Sequence, residues 1–353
     1  MIDERDLVLD GAARILADGV TTQVRERAEA GAWPGALWRT LVEAGLTVAS
    51  LPEALGGAGV PLADAFALNK LIGVYAAPLP LGEHLLAVRV LAEQGVALPA
   101  GLVTLAFAAP GDDFAVRGGL ARGRVSAVPW GGAAALALVV AHDGAAVVVA
   151  PQAAAVERGR NLAGEPRDTL CWNDVVATRI DLGAWLPDTL LVHLALARAA
   201  ALAGALETVL RLTLEYVQMR QQFGKPISGF QAVQHQLAVL AGEVAAAQRA
   251  TDAALDAVGT PALALEVAAA KARVGEAAGI AAGIAHQMHG AMGFTHEHHL
   301  HHFTRRLWAW RDEYGNETYW QRRLGRSFAT AGADGAWPLL TDSLATAELR
   351  LPG

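Results

Sequence analysis

The spacing of apolar residues divides the chain into three zones. Over residues 1–100, apolar side chains recur at every third or fourth position, as at Leu37 and Leu41, and this period predicts amphipathic helices. Over residues 101–186, short apolar runs alternate with glycine-containing turns, which predicts strands. Over residues 187–353 the helical period returns in much longer stretches. The pattern therefore predicts two helical zones separated by a β zone.

Turn residues add detail to the second and third zones. Residues 133–141 and 145–150 flank His142-Asp143-Gly144, a pattern typical of a β-hairpin. Arg117-Gly118-Gly119 and Arg122-Gly123-Arg124 predict turns that punctuate another pair of strands. Long helices joined by short loops with Gly and Pro are typical of an antiparallel bundle. The predicted bundle helices cover residues 190–221, 228–258, 261–292 and 300–311, and a last one follows Glu317.

These elements predict a mainly α protein. We expect an N-terminal helical domain over residues 1–100, a small central antiparallel β-domain over residues 101–186, and a C-terminal antiparallel helical bundle over residues 187–353. A chain of 353 residues has room for two or three domains at roughly 150 residues each.

Composition narrows the classes of partner. Lys and Arg total 28 against 35 Asp and Glu, so the net charge of −7 argues against general binding to nucleic acid phosphates. Apolar residues make up 53% of the chain and charged residues only 18%, which predicts an oligomer with broad buried interfaces.

The cellular setting is predicted from cysteine usage and from the uncharged segments. Cys171 is the single cysteine, which excludes an internal disulfide framework and favours a reducing, cytoplasmic compartment. The charged N-terminus does not resemble a signal peptide. The longest uncharged runs, 94–111 and 125–142, are interrupted by Pro and Gly, so we expect no membrane insertion.

Two short segments carry candidate chemistry. Residues 220–227, Arg-Gln-Gln-Phe-Gly-Lys-Pro-Ile, put a guanidinium and an ammonium group at a helix end, and residues 230–234, Phe-Gln-Ala-Val-Gln, begin the next helix. Helix N-termini and guanidinium groups both favour phosphate oxygens. Residues 287–295, Gln-Met-His-Gly-Ala-Met-Gly-Phe-Thr, put two glycines at another helix end, which permits close contact with a ligand. The chain contains no P-loop, paired C-x-x-C, G-x-S-x-G or Rossmann fingerprint.

At these two segments the sequence resembles the acyl-CoA dehydrogenase family, through R-x-x-F-G-x-x-I-x-x-F-Q and Q-x-x-G-(G/A)-x-G-(F/Y)-T. Residues 37–46 and 51–59 also look like that family's N-terminal domain, so the resemblance covers nearly the whole chain. It implies FAD as cofactor, lying between domains and subunits of a homo- or heterotetramer. It also implies α,β-dehydrogenation of an acyl-CoA thioester in lipid or steroid catabolism. An acceptor such as an electron-transfer flavoprotein would then take up the electrons.

The resemblance also implies a role for individual residues. Arg220 matches the arginine that meets the FAD pyrophosphate, commonly across a subunit interface, and Phe223 matches an aromatic residue packed on the cofactor. Tyr314 and Gly315 fall at positions that contact the acyl substrate. The remaining cofactor matches are Gln231 beside the adenosine half, and Gln287, His289, Gly290 and Ala291 along the FAD of the adjacent subunit.

Two family motifs are missing from the central zone. The family's β-domain carries a Thr-Glu-Pro type segment against the flavin and a Trp-Ile-(Thr/Ser)-Asn strand beside its ring. The corresponding stretches here, residues 104–110 and 126–132, lack the acidic residue and the hydroxyl-amide pair, and the zone is short.

The catalytic base also departs from the family pattern. Removing the α-proton of a thioester requires a nearby carboxylate, which in most members is the Glu of Tyr-Glu-Gly. At that spacing from Gln287 this chain has Tyr314, and a phenol that titrates near pH 10 is a poor base. Glu313 is the candidate base if the loop shifts by one residue. The family's alternative position, on the first bundle helix, corresponds to residues 193–195 and has no carboxylate.

Three functions remain open from sequence alone. The first is an FAD-dependent acyl-CoA dehydrogenase, either alone or as one subunit of a heteromeric enzyme. The second is a catalytically silent partner that completes the FAD site of a paralogue, and the third is a flavin monooxygenase or oxidase of the same fold. We expect no metal site in the histidine-rich residues 293–304, because no Cys or Asp cluster completes a coordination shell.

Overall fold

The computed structural model describes residues 4–341. The ends of the two outer predicted domains, residues 1–3 and 342–353, lie outside the described residues. The N-terminal zone is helical, as predicted, and α2 begins where the Thr21 side chain accepts a hydrogen bond from the Val24 amide. Its helices are α1 (Glu4–Gly19), α2 (Thr22–Glu29), α3 (Gly35–Glu43), α4 (Leu62–Val74) and α5 (Leu81–Glu93).

A seven-stranded sheet forms the central zone. Its order is β1-β4-β5-β7-β3-β2, with β6 also paired to β7. The predicted hairpin is confirmed, because β4 and β5 pair antiparallel around a turn in which Gly144 has a φ of 77°. The strands are β1 (Val103–Phe107), β2 (Ala115–Arg117), β3 (Leu120–Pro129), β4 (Leu136–Val140), β5 (Ala146–Val149), β6 (Ala155–Glu157) and β7 (Arg167–Ile180).

Two details of the sheet differ from the sequence expectation. β1 and β4 run parallel, whereas the other pairs are antiparallel, because β2 and β3 lie between β1 and β4 along the chain. Arg122-Gly123-Arg124 does not separate two strands. It lies inside β3 at a register shift, where Gly123 has a φ of 101° and an added Cβ would lie 2.4 Å from the Asp113 carbonyl oxygen. The glycine is required by a bulge, a local feature that reads like a turn in sequence.

Long helices form the C-terminal zone, close to the predicted limits. They are α6 (Pro187–Met219), α7 (Gln231–Asp256), α8 (Leu263–His289), α9 (Leu300–Asp312) and α10 (Glu317–Thr341). A two-stranded hairpin of β8 (Gln221–Gln222) and β9 (Lys225–Pro226) joins α6 to the 3-10 turn that precedes α7. By length and hydropathy α6 would be able to cross a membrane, but 89% of its most apolar window is buried inside the protein, as in the core helix of a soluble protein.

The chain separates into two compact units. One comprises Met1–Ala65 and Ala77–Leu194, and the other comprises Phe66–Ala76 and Ala195–Gly353. The first holds the sheet, whose buried face includes Val125, Val139, Leu170 and Trp172. The second holds the bundle, together with the later part of α4. The three-domain boundaries stay a prediction.

Within the second unit, α4 and α6 approach each other through glycines. An added Cβ at Gly73 would lie 1.8 Å from the Ala201 carbonyl oxygen, and one at Gly204 would lie 1.9 Å from the Lys70 carbonyl oxygen. The Thr208 hydroxyl donates to the Val74 carbonyl oxygen at 2.8 Å at the same contact. No side chain larger than hydrogen fits at either glycine without moving a backbone.

We expect Gly204→Ala to lower the free energy of unfolding by about 1–3 kcal/mol, because the added methyl group forces the two helices apart. Gly242→Ala is the matched control. Gly242 lies on an exposed part of α7 with no atom within 4 Å of an added Cβ, and the substitution should stabilise by about 0.5–1 kcal/mol. Urea unfolding of the two variants measures both effects. Equal stability of the two variants would contradict the assigned close contact.

Candidate functional site

The segment that begins at Arg220 forms a tight, exposed hairpin. Gln222 pairs with Lys225, and the two turn residues between them, Phe223 and Gly224, have φ values of 52° and 79°. Left-handed geometry at both positions is typical of a type I′ turn, in which a phenylalanine is costly. The Phe223 side chain is 91% exposed. The fold thus holds this aromatic ring outward at a conformational cost.

Arg220 stands at the base of this hairpin. Its carbonyl oxygen accepts the Ile227 amide at 2.8 Å, which closes the hairpin, and the residue itself is exposed. Lys225 Nζ lies 4.5 Å from the centre of the Phe230 ring. Gln231 is the exposed first residue of α7, whose N-terminus has no side-chain cap. Open backbone donors and two nearby cations form a donor set that suits a diphosphate.

The second predicted cofactor segment lies at the end of α8. Gln287, Gly290 and Ala291 are exposed, and Gly290 ends the helix with a φ of 56° and open space around an added Cβ. His289 differs, because it is 2% exposed and its Nδ1 donates to the Ala285 carbonyl oxygen at 2.7 Å. Burial lowers the pKa of His289. Its ring therefore packs as a neutral aromatic group and is not presented at the surface.

Tyr216 brings the two cofactor segments to the same end of the bundle. Its ring stacks on His289 at 4.4 Å between centroids, and its carbonyl oxygen accepts the Arg220 amide at 2.8 Å. The structure therefore brings the Arg220 hairpin and the residues after Gln287 near each other on the second unit. An exposed guanidinium, open helix amides and a glycine without a side chain are groups that fit the diphosphate of FAD.

Glu313, the candidate base, lies in an ion pair. Its Oε2 is 2.8 Å from Arg198 Nη2, and the two side chains are 18% and 8% exposed. The Arg198 guanidinium also lies 5.3 Å from the Trp310 ring centre and 5.6 Å from the Tyr314 ring centre. A guanidinium at this distance favours the ionised carboxylate, which is the state that a base requires.

Lys271 on α8 fixes the backbone on either side of Glu313 and Tyr314. Its Nζ is buried and donates to the Arg311 carbonyl oxygen at 2.7 Å and to the Gly315 carbonyl oxygen at 2.6 Å. Trp320 Nε1 donates to the Tyr314 carbonyl oxygen at 3.0 Å. Burial, helped by the Arg198 charge, lowers the pKa of Lys271 to about 7. Three side-chain hydrogen bonds thus hold a turn of five residues, 311–315.

The two groups of predicted residues lie beside different parts of α8. Lys271, which holds the turn with Glu313, Tyr314 and Gly315, and Gln287 are sixteen residues apart on this helix. At 1.5 Å per residue the separation is about 24 Å. The bundle therefore brings the cofactor matches together in one place and the base and substrate matches together in another, and does not join the two groups.

The hydroxyl groups of the two altered β-domain stretches are engaged within the first unit. Thr104 Oγ1 donates to the Pro129 carbonyl oxygen at 2.7 Å, and Ser126 Oγ donates to Asp112 Oδ2 at 3.1 Å. Both stretches therefore use their hydroxyls to stabilise the sheet.

The histidine-rich segment packs through its rings. His286 stacks on Phe294 at 4.3 Å and on Trp308 at 5.5 Å, and its Nε2 lies 3.0 Å from Thr304 Oγ1. Across residues 4–341, no group of three or more His, Cys, Asp and Glu side chains is arranged to hold a metal ion.

Arg198 and Lys271 escaped the sequence analysis. Each follows small apolar residues in a helix, in the runs Leu-Ala-Arg-Ala-Ala-Ala and Ala-Ala-Ala-Lys-Ala. Placed on the apolar face of its helix, such a residue must be buried and needs acceptors. A cation on the apolar face of a predicted helix was therefore the sequence signal for these two buried charges.

Two family models match the chain. "Acyl-CoA dehydrogenase, N-terminal domain" matches residues 2–95, and "Acyl-CoA dehydrogenase, C-terminal domain" matches residues 184–323. Acyl-CoA dehydrogenase IpdE2 of Mycobacterium tuberculosis is 32% identical over 317 residues, 86% of this chain and 91% of the relative. Acyl-CoA dehydrogenase FadE28 of the same organism is 36% identical over 61% of this chain and 68% of the relative.

Solved structures share the whole fold. A Tcur3481-Tcur3483 steroid ACAD variant aligns with a TM-score of 0.82 at 27% identity, covering 97% of this chain and 99% of that chain. The ChsE4-ChsE5 complex from Mycobacterium tuberculosis aligns with a TM-score of 0.82 at 24% identity, covering 94% and 99%, and this likeness concerns the fold alone. The mainly α architecture expected from sequence is confirmed.

The buried amine of Lys271 makes stability depend on pH. Its pKa is about 7 in the folded chain and near 10.5 when unfolded, so the unfolded state binds more protons between these values. We expect the free energy of unfolding to rise from pH 7 to pH 9, by at most about 1.4 kcal/mol per pH unit. Urea titrations should show this rise in the wild type and its loss in Lys271→Met. Lys70→Met, at a half-exposed ion pair with Asp252, should retain it. A rise of the same slope in Lys271→Met would contradict the assignment.

Proposed function

This chain belongs to the acyl-CoA dehydrogenase family of oxidoreductases, which act on the CH–CH bond of an acyl-CoA, and we propose that it works as one subunit of an FAD-dependent oligomer. The observation that carries the proposal is the separation along α8. The cofactor matches Gln287, Gly290 and Ala291 are exposed at its C-terminal end, while the base and substrate matches lie beside Lys271, nearer its N-terminal end. Such a chain contributes Arg220, Phe223 and the residues after Gln287 to the FAD of a neighbouring subunit.

The proposal extends to the kind of assembly and to the substrate class. One structural neighbour, at 27% identity, is named for two chains, Tcur3481-Tcur3483, and as a steroid ACAD. We therefore propose a heterotetramer that oxidises a polycyclic or branched acyl-CoA and passes electrons to an acceptor such as an electron-transfer flavoprotein. When bound, FAD supplies the acceptor for the hydride that leaves the β-carbon.

On this chain we assign Glu313 as the base that accepts the proton from the α-carbon of the acyl-CoA. Its pairing with Arg198 supports an ionised carboxylate. A second candidate function is the silent partner, in which another subunit supplies the carboxylate. The spacing from Gln287 favours it, because that spacing puts Tyr314, which has no carboxylate, at the family's base position.

We expect Arg220→Ala to weaken FAD binding by about thirty-fold or more, because losing a charge-assisted contact to a diphosphate costs about 2 kcal/mol or more. FAD content after gel filtration of the assembled protein measures the loss. Arg211→Ala is the matched control, since Arg211 is an exposed arginine on α6, the helix that Arg220 follows, and pairs with Glu215 at 2.8 Å. Unchanged FAD content in Arg220→Ala would remove this residue from the cofactor site.

We expect Glu313→Gln to slow flavin reduction by acyl-CoA on the order of 10²–10⁴-fold in the assembled enzyme, because the amide cannot accept the α-proton. FAD content should stay intact, and Tyr314→Phe should have little effect. Rapid mixing with acyl-CoA measures the step. Full activity of Glu313→Gln would reject it as the base and support the silent-partner function, whereas rapid oxygen uptake by the reduced flavin would indicate the oxidase or monooxygenase alternative.

A further inference from the structure

We propose that Lys271 is a positioning residue for acyl-CoA oxidation, which acts by fixing the turn of residues 311–315. The inference rests on the proposed function, because it assigns the turn to the acyl end of this chain. It goes beyond that function by giving a role to Lys271, which lies outside both cofactor segments, residues 220–234 and 287–295.

Lys271 contacts two backbone carbonyl groups, one at each end of the turn. Those of Arg311 and Gly315 belong to the last turn of α9 and to the loop after it, where helical acceptors have no partner within the helix. Lys271 Nζ reaches both, at 2.7 and 2.6 Å. One nitrogen therefore fixes the distance between the start and the end of the turn.

The turn has a strained backbone at Tyr314. Tyr314 has a φ of 58°, which is rare for a residue with a side chain, and Gly315 has a φ of 92°. An added Cβ at Gly315 would lie 2.6 Å from the Tyr319 ring and 2.7 Å from Trp320 Nε1. The turn persists in this conformation because Lys271 and Trp320 hold its carbonyl groups from outside.

The two hydrogen bonds from Lys271 do not depend on the charge of its amine. A neutral amine still carries two N–H donors, one for each carbonyl oxygen, and the ammonium carries three. Both forms therefore make the two hydrogen bonds, so this role persists on either side of the titration of the group. A side chain without donors at position 271 would destabilise the turn, since two partly buried carbonyl groups would lose their partners.

The turn carries Glu313, the proposed base. Glu313 and Tyr314 lie between the two held carbonyl groups, and Arg198 holds the Glu313 carboxylate from α6. A shift of the backbone by about 1 Å moves both side chains relative to an acyl group. Misplacement of this size is able to cost up to about a hundred-fold in rate.

The test is a double-mutant cycle in the assembled, FAD-loaded enzyme. Lys271→Met removes two hydrogen bonds to the turn with a side chain of similar length, and Trp320→Phe removes the third while keeping an aromatic ring. We expect each to slow flavin reduction by acyl-CoA on the order of ten-fold or more with FAD content unchanged. Because both act on one turn, the double variant should be barely slower than the slower single variant.

Arg273→Met is the matched control. Arg273 is a cation two residues further along α8, and it pairs with Glu243 and Glu276 instead of the turn. It should leave the rate of flavin reduction near the wild-type value, and its effect should add independently to that of Lys271→Met. Coupling of Lys271 to Arg273 as strong as that to Trp320 would indicate a general structural role and overturn the proposal.

Hydrogen exchange of the assembled protein provides a readout that needs no turnover. Amides of residues 312–316 should exchange faster in Lys271→Met and in Trp320→Phe, while those of residues 220–231 should not change. Unchanged exchange at 312–316 would overturn the proposal. Faster exchange with an unchanged rate of flavin reduction would also overturn it, and the FAD role of Arg220 would still stand on its own variant.

Discussion

The conformation of the turn that carries Glu313 depends on two hydrogen bonds from the buried Lys271 amine. Helix α9 must end and α10 must begin within a few residues, and the partly buried carbonyl groups of Arg311 and Gly315 need hydrogen-bond partners there. One amine with two close acceptors solves this problem. Together with Trp320, which donates to the Tyr314 carbonyl oxygen, and Arg198, which pairs with Glu313, it determines the left-handed Tyr314 and the position of Glu313.

The charges around this amine form an alternating network. Arg198 pairs with Glu313, and Arg311 pairs with Glu317, so two carboxylates stand among three buried or half-buried cations. Burying charges is favourable only where each has a partner of opposite sign or a strong acceptor. Lys271 uses backbone acceptors instead of a carboxylate of its own. This explains why burial lowers its pKa while its position remains fixed.

The sequence predicted what depends on period and on local turn chemistry. The helix expected over residues 190–221 is α6, Pro187–Met219, and the hairpin around Gly144 is present. It did not predict features that depend on contacts between distant segments. The bulge at Gly123 requires the Asp113 carbonyl group, and the burial of His289 requires Tyr216 on another helix. The same holds for the pairing of Arg198 with Glu313, which lie 115 residues apart in the chain.

The exposed hairpin around Phe223 has a consequence for the kinetics of assembly. Its two left-handed residues are already formed in the single chain, so their conformational cost falls on folding and not on association. A neighbouring subunit would therefore meet a preorganised surface and dock nearly as a rigid body. In the proposed oligomer, subunit association is then set by diffusion and mutual orientation of the two surfaces, without a slow ordering step at this hairpin.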